Sequence, residues 1–121
     1  DIFLEKISAN KTITVNGAGS VIRDYIHVKD VADFMILSIE DKSVRGVYNV
    51  GTGIGTSLND LIMTIEKTIL KLATIEHAPA KRQDSQYNIL DITRALDKGW
   101  KPKIGLEEGI LELYNSINRG K

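Results

Sequence analysis

Cysteine is absent from this 121-residue chain, which removes disulfides, a thiolate nucleophile and any Cys-type zinc site. Only two histidines occur, His27 and His77. They lie far apart in sequence and make no metal-ligand spacing. No apolar run approaches the ~18 residues of a membrane-spanning helix. No secretory signal pattern is present either, so the expectation is a cytoplasmic protein with no membrane partner. Neither sign of charge is in excess: 16 basic residues balance 16 acidic ones. No overall field draws in nucleic acid, and only a local basic cluster could do so. No Ser-His-Asp arrangement and no cluster of carboxylates supplies an obvious catalytic constellation. The chain is therefore expected to hold no catalytic residue and no metal ligand of its own.

What is present is ordinary globular composition, 42% hydrophobic and 26% charged. That argues against a disordered tail, and the length suits one domain with a modest core, taken here as residues 1–121. The chain begins at Asp1 inside an apolar pattern (Ile2, Phe3, Leu4, Ile7), and the expectation is a segment of something longer. Along it the apolar period switches between two and roughly 3.6, as alternating strands and helices require. Ile2–Ser8 reads as a helix end and Ile13–Val15 as a short strand stopped by Gly17-Ala18-Gly19. Tyr25–Val28 reads as another strand, with Asp30 as cap of the helix that follows, and Val47–Val50 as a third strand. The clearest helix starts at Ser57, an N-cap with Asp60 at the third helical position. Leu58, Leu61, Ile62, Ile65 and Ile69 form its stripe. Thr74–His77 and Tyr87–Leu90 read as short strands. Asp91 is placed to cap a short helix closed by Gly99, and Leu106 to about Asn118 as a last helix. The fold class is mixed α/β.

Three segments could carry chemistry. Gly51-x-Gly53-x-Gly55 follows a predicted strand and precedes a helix, with Glu76 further on, the layout of a dinucleotide-binding turn. Its third glycine comes one residue early for G-x-G-x-x-G, and the competing reading is a tight connection whose glycines permit positive φ. Arg23-Asp24-Tyr25 follows the turn Gly17-Ala18-Gly19; the planar guanidinium fork of Arg23 matches two phosphate oxygens, or Arg23 and Asp24 form a surface pair. In Lys81-Arg82-Gln83-Asp84, two cations could grip a diphosphate and the carboxylate a ribose diol, or the loop is merely solvated. His27 reads as a core or rim histidine within a strand. Trp100 reads as a core anchor.

Taken in order, these pieces resemble the C-terminal half of nucleotide-sugar epimerases and dehydratases of the extended short-chain dehydrogenase/reductase family, the UDP-glucose 4-epimerase kind. Four stretches carry the likeness: Gly17 through Arg23-Asp24-Tyr25-Ile26-His27-Val28 to Ala32, Tyr48-Asn49-Val50-Gly51-Thr52-Gly53, Ala78 to Ala95, and Gly99-Trp100-x-Pro102 with Leu106-Glu107-Glu108-Gly109. The resemblance implies a small mixed α/β substrate-binding domain lacking its Rossmann half. It implies diphosphate binding by Arg23 and by Lys81 or Arg82, and ribose binding by Asp84. Asn16 stands where the family commonly has an aromatic residue against the base, and Gly17-Ala18-Gly19 where Gly-Asp-Gly is frequent. In register with Asp84 and Asp91 the family arginine falls on Lys81, with Arg82 one residue out, and Lys98 replaces the usual leucine before Gly-Trp. The implied function is holding the nucleotide end of a UDP- or dTDP-sugar for an enzyme whose NAD-binding, catalytic half is elsewhere. NAD would belong to the full-length enzyme and not to this chain, which alone would be inactive and part of a homo-oligomer. Two rivals stay open: a stand-alone nucleotide-binding or interaction module, and a small dinucleotide-binding domain built on Gly51–Gly55.

Overall fold

The computed structural model describes residues 2–81 and 86–119. Five helices and five short strands follow one another along them: α1 (Ile2–Ser8), β1 (Thr12–Asn16), β2 (Ile22–Arg23), α2 (Val28–Glu40), β3 (Thr56–Ser57), α3 (Leu58–Ile69), β4 (Thr74–Ala78), β5 (Tyr87–Asn88), α4 (Thr93–Asp97) and α5 (Leu106–Arg119). The mixed α/β expectation holds. β1 pairs in parallel with β4, from Thr12 opposite Thr74 to Asn16 opposite Ala78. A second sheet has the order β3-β2-β5, with β2 antiparallel to β3 and parallel to β5.

α3 shows how local chemistry sets an element. The Ser57 hydroxyl accepts from the Asp60 N–H at 3.0 Å, satisfying one of the orphan donors of the first turn. The apolar stripe buries Ile62, Ile65 and Ile69 against Leu4 and Ile7 of α1, Ile13 and Val15 of β1, and Ile110 of α5. Removing each such side chain from water contributes about 1.5–3 kcal/mol, which outweighs the weak helix propensity of its isoleucines. α3 ends at Leu70, which takes the left-handed conformation (φ 57°) usually left to glycine.

A second core gathers Phe34, Ile92, Ala95 and Trp100. Trp100 meets Phe34 edge-on at 5.7 Å between ring centres, and its indole N–H donates to the Asp30 carbonyl at 3.0 Å. The core-anchor reading of Trp100 is thus met in the geometry. The opposite face of α2 has no such cover: Val28, Met35, Ile36 and Ile39 are all exposed, Ile39 at 81%.

Several local expectations need correction. Tyr25–Val28 is not a strand: extended pairing ends at Arg23, and His27 is the N-cap of α2, its Nδ1 accepting from the Lys29 N–H at 2.9 Å. Because the helix starts that early, Asp30 lies inside its first turn and is no cap. Its carboxylate turns inward, 1% exposed, and accepts from the N–H groups of Lys103 (3.1 Å) and Ile104 (3.0 Å). Val47–Val50 forms no strand either; Tyr48 and Val50 pack against the second core without ladder partners. Asp91 sits one residue before the N-cap position, Ile92, and accepts from the Thr93 N–H and hydroxyl at 3.0 and 2.6 Å.

Candidate functional site

Two parallel strand pairs decide what lies next to what. β1 runs beside β4 and β2 beside β5. Residues 17–21 and the described ends of the other joining segment, residues 79–81 and 86, therefore lie close together. Both ends of that contact are tied: the Gly17 N–H donates to the Ala78 carbonyl at 2.7 Å, and the Ile22 N–H to the Gln86 carbonyl at 2.9 Å. The Gly17-Ala18-Gly19 turn and Lys81, about sixty residues apart in the chain, are thereby brought together. Between them lies a cavity of about 90 Å³ lined by Asn16, the turn from Gly17 to Val21, Lys81 and Gln86. Water occupies ~30 Å³ in the liquid, so this space suits a few waters or one small anionic group and not a whole nucleotide.

The turn is closely fitted. A side chain on Gly19, whose φ is +76°, would put its Cβ 2.2 Å from Asn59 Oδ1. Asn59 in turn donates through Nδ2 to the Ala18 carbonyl at 2.8 Å. His77 on β4 contacts the Gly17 carbonyl through Nδ1 at 2.8 Å. Neither Asn59 nor His77 stood out in the sequence, because their partners are 41 and 60 positions away.

Arg23 does not line this cavity. It is half-buried on β2, between Thr56 and Asn88 in register, and its Nη1 donates to the Ile22 carbonyl at 3.0 Å. Burial pushes the neighbouring Tyr25 hydroxyl above its usual range, and the Arg23 charge offsets only part of that. Of the sequence candidates, then, Asn16 and Lys81 meet at one cavity and Arg23 stands on the adjoining strand. Arg82 and Asp84 lie outside the described residues.

The glycine loop has its own anion already. Oδ1 of Asp24 accepts from the Thr52 N–H (2.9 Å) and the Thr52 hydroxyl (2.5 Å), and Oδ2 from the N–H groups of Gly53 (2.9 Å) and Leu90 (3.4 Å). Partial burial raises the Asp24 pKa, but the Thr52 hydroxyl and those N–H groups outweigh it and hold the carboxyl below its ordinary range. A Cβ on Gly51 would stand 2.8 Å from Asp24 Oδ2, so the glycine is there to let this carboxylate approach. A dinucleotide pyrophosphate does not fit these N–H groups unless it displaces a bound carboxylate. The tight-connection reading is the one the geometry favours, and Asp24 bonds backbone N–H groups in the place assigned to an Arg23–Asp24 pair.

A separate apolar cleft of about 350 Å³ lies between the Tyr25–Val28 segment and the start of α5, lined by Ile104, Leu106 and Gly109 among others. At its edge Glu112 approaches His27 Nε2 at 3.5 Å and Lys29 Nζ at 2.7 Å. The Lys29 hydrogen bond, opposed by slight desolvation, keeps the Glu112 carboxyl below its usual range. Among the described residues no group of His, Asp and Glu is arranged to hold a metal, and no helix is long and apolar enough to cross a membrane.

The geometry is thus a mixed α/β segment with a small cavity where two loops meet and an arginine on the adjoining strand. Comparison with known proteins supplies the family. Residues 1–51 match the model of the NAD dependent epimerase/dehydratase family. The chain is 36% identical to the dTDP-4-dehydro-6-deoxyglucose reductase of Escherichia coli, over 96% of this chain and 37% of that protein. It is also 36% identical to the UDP-glucose 4-epimerase of Mycolicibacterium smegmatis, over 90% of this chain and 35% of that one. Its fold superposes on the UDP-glucose 4-epimerase of Thermotoga maritima, solved with UDP-glucose, with a TM-score of 0.89 and 31% identity, covering 98% of this chain and 38% of the other. By sequence and by fold this chain is a relative of the NAD-dependent epimerases and dehydratases. It spans little more than a third of the length of the relatives it matches.

Proposed function

We propose that residues 1–121 form the C-terminal, substrate-holding portion of an NAD-dependent nucleotide-sugar epimerase, dehydratase or related reductase. The observation that carries this is the pairing of β1 with β4 and β2 with β5, which gathers Asn16, the Gly17–Val21 turn and Lys81 around one cavity beside Arg23. In this reading Arg23 holds the diphosphate together with Lys81 or Arg82, Asp84 binds the ribose, and Asn16 lies near the base. Binding energy at the nucleotide end then positions a distant sugar carbon for chemistry performed by other residues. A bound nicotinamide cofactor would supply hydride exchange. It would be held by the portion of such proteins that this chain does not match, since in the glycine loop the N–H groups of Thr52 and Gly53 serve Asp24.

The exposed stripe of α2 supports a partner portion as well. Val28, Met35, Ile36 and Ile39 fall on one helical face with nothing packed on it among the described residues, and apolar faces of this kind mark interfaces. Without its partner the chain would be catalytically inert and would self-associate through that face. The test is calorimetric titration of the chain with UDP, dTDP and GDP beside the matching nucleosides. Binding of a diphosphate at least tenfold tighter than of its nucleoside is expected; equal or no binding of every pair would sink the assignment.

A further inference from the structure

Besides the Gly17 N–H bond to the Ala78 carbonyl, the Gly17–Gly19 turn is anchored through its three carbonyls. Gly17 O is bonded by His77 Nδ1, Ala18 O by Asn59 Nδ2, and Gly19 O by the Asn59 backbone N–H at 2.9 Å. A carbonyl only accepts, so His77 carries its proton on Nδ1 in this contact. No peptide bond here is cis, and in a trans peptide the N–H points opposite to the carbonyl of the residue before it. The N–H groups of Ala18, Gly19 and Ser20 therefore point away from the three carbonyl bonds. Among the described residues none of the three forms a hydrogen bond. The same turn lines the 90 Å³ cavity to which Lys81 contributes a cation. Successive free N–H groups in a turn with positive φ make a concavity for an anion.

We propose that the amides of Ala18, Gly19 and Ser20 form a cradle for one phosphoryl group, with Asn59 and His77 as the positioning residues that aim it. The cradle depends on no side chain of the turn itself, which agrees with Ala18 lying between two glycines. The proposal rests on the nucleotide reading only for the source of the phosphoryl group, which is a nucleoside diphosphate and not free phosphate.

The experiment uses inorganic pyrophosphate, UDP and uridine as probes of the whole chain, by calorimetry and by amide resonances of the turn. Pyrophosphate and UDP should both bind and shift the Ala18, Gly19 and Ser20 amides, while uridine leaves them in place. Asn59→Asp sets a carboxylate oxygen against the Ala18 carbonyl and should weaken pyrophosphate and UDP about 10-fold or more, as expected for a lost aligned contact to an anion. Its uridine affinity should stay within twofold, which a general loss of folding would not allow. His77→Phe should act in the same direction, and His77→Gln should recover part of the loss through its own donor. If Asn59→Asp fails to fold, the wild-type resonances decide. Pyrophosphate bound with turn amides shifted, but UDP unbound, supports the cradle and refutes the nucleotide reading. UDP bound with those amides unmoved, or no pyrophosphate binding at all, overturns the cradle and leaves the nucleotide reading standing.

Discussion

Replacing Asp24 by asparagine tests the claim that the glycine loop is a structural clamp. The carboxylate receives four donors: the N–H groups of Thr52, Gly53 and Leu90 and the Thr52 hydroxyl. An asparagine keeps one acceptor oxygen and turns an N–H₂ toward the donors of the other. At least one charge-assisted hydrogen bond is lost and one donor opposes another. Such a loss costs about 1.5–3 kcal/mol, reduced toward the lower figure because the group is only partly withdrawn from water. Urea denaturation at pH 7 should show the midpoint falling by roughly 1 M. The pH dependence gives a second reading. The Asp24 pKa is lowered on folding, so its stabilisation is present above the ordinary aspartate range and is lost as pH falls through the folded value. The gap between wild type and Asp24→Asn should therefore be full near pH 6 and close in strong acid. A gap below about 0.5 kcal/mol at pH 7, or one unchanged between pH 6 and strong acid, would refute the reasoning, because that is the scatter of ordinary surface substitutions.

Asp30→Ala leaves the N–H groups of Lys103 and Ile104 unpaired beside a buried site and should destabilise the chain by about 2–4 kcal/mol in a chemical melt. Leu70→Gly should stabilise it by ~0.5–1 kcal/mol, because the 88%-exposed Leu70 buries little and holds a left-handed backbone; a lower melting temperature would contradict that. Sedimentation of the chain should show dimers or larger species, and Ile36→Lys with Ile39→Lys on the exposed α2 face should return it to monomer without lowering its melting temperature.

Local signals in the sequence were reliable where the cause is local. The Ser57 cap and the α3 stripe follow from neighbours a few positions away, and the β-branched runs behind β1 and β4 place those strands to within a residue of their ends. The failures have distant causes. Tyr25–Val28 has the alternation of a strand, yet β2 is confined to Ile22–Arg23, where Thr56–Ser57 and Tyr87–Asn88 supply partners. Asp30 looks like a cap by composition, and only Lys103 and Ile104, 73 and 74 positions on, give its buried carboxylate a use. The candidate site divides the same way. Arg23 could be picked out by residue type beside a glycine turn, Lys81 by its charged loop, and Asn16 through the family resemblance. Asn59, His77 and the role of Asp24 required the fold.

The central claim is that the paired loops and Arg23 hold a nucleoside diphosphate, and affinity for UDP or dTDP in Arg23→Ala tests it most directly. Loss of the guanidinium should weaken binding about 10- to 150-fold, the equivalent of about 1.5–3 kcal/mol for one charge-assisted contact. Arg23→Lys should recover only part of it, since an ammonium lacks the paired donors of the fork. Unchanged melting temperatures would place the loss in binding rather than folding. Nucleotide affinity within twofold of wild type in Arg23→Ala would contradict the account.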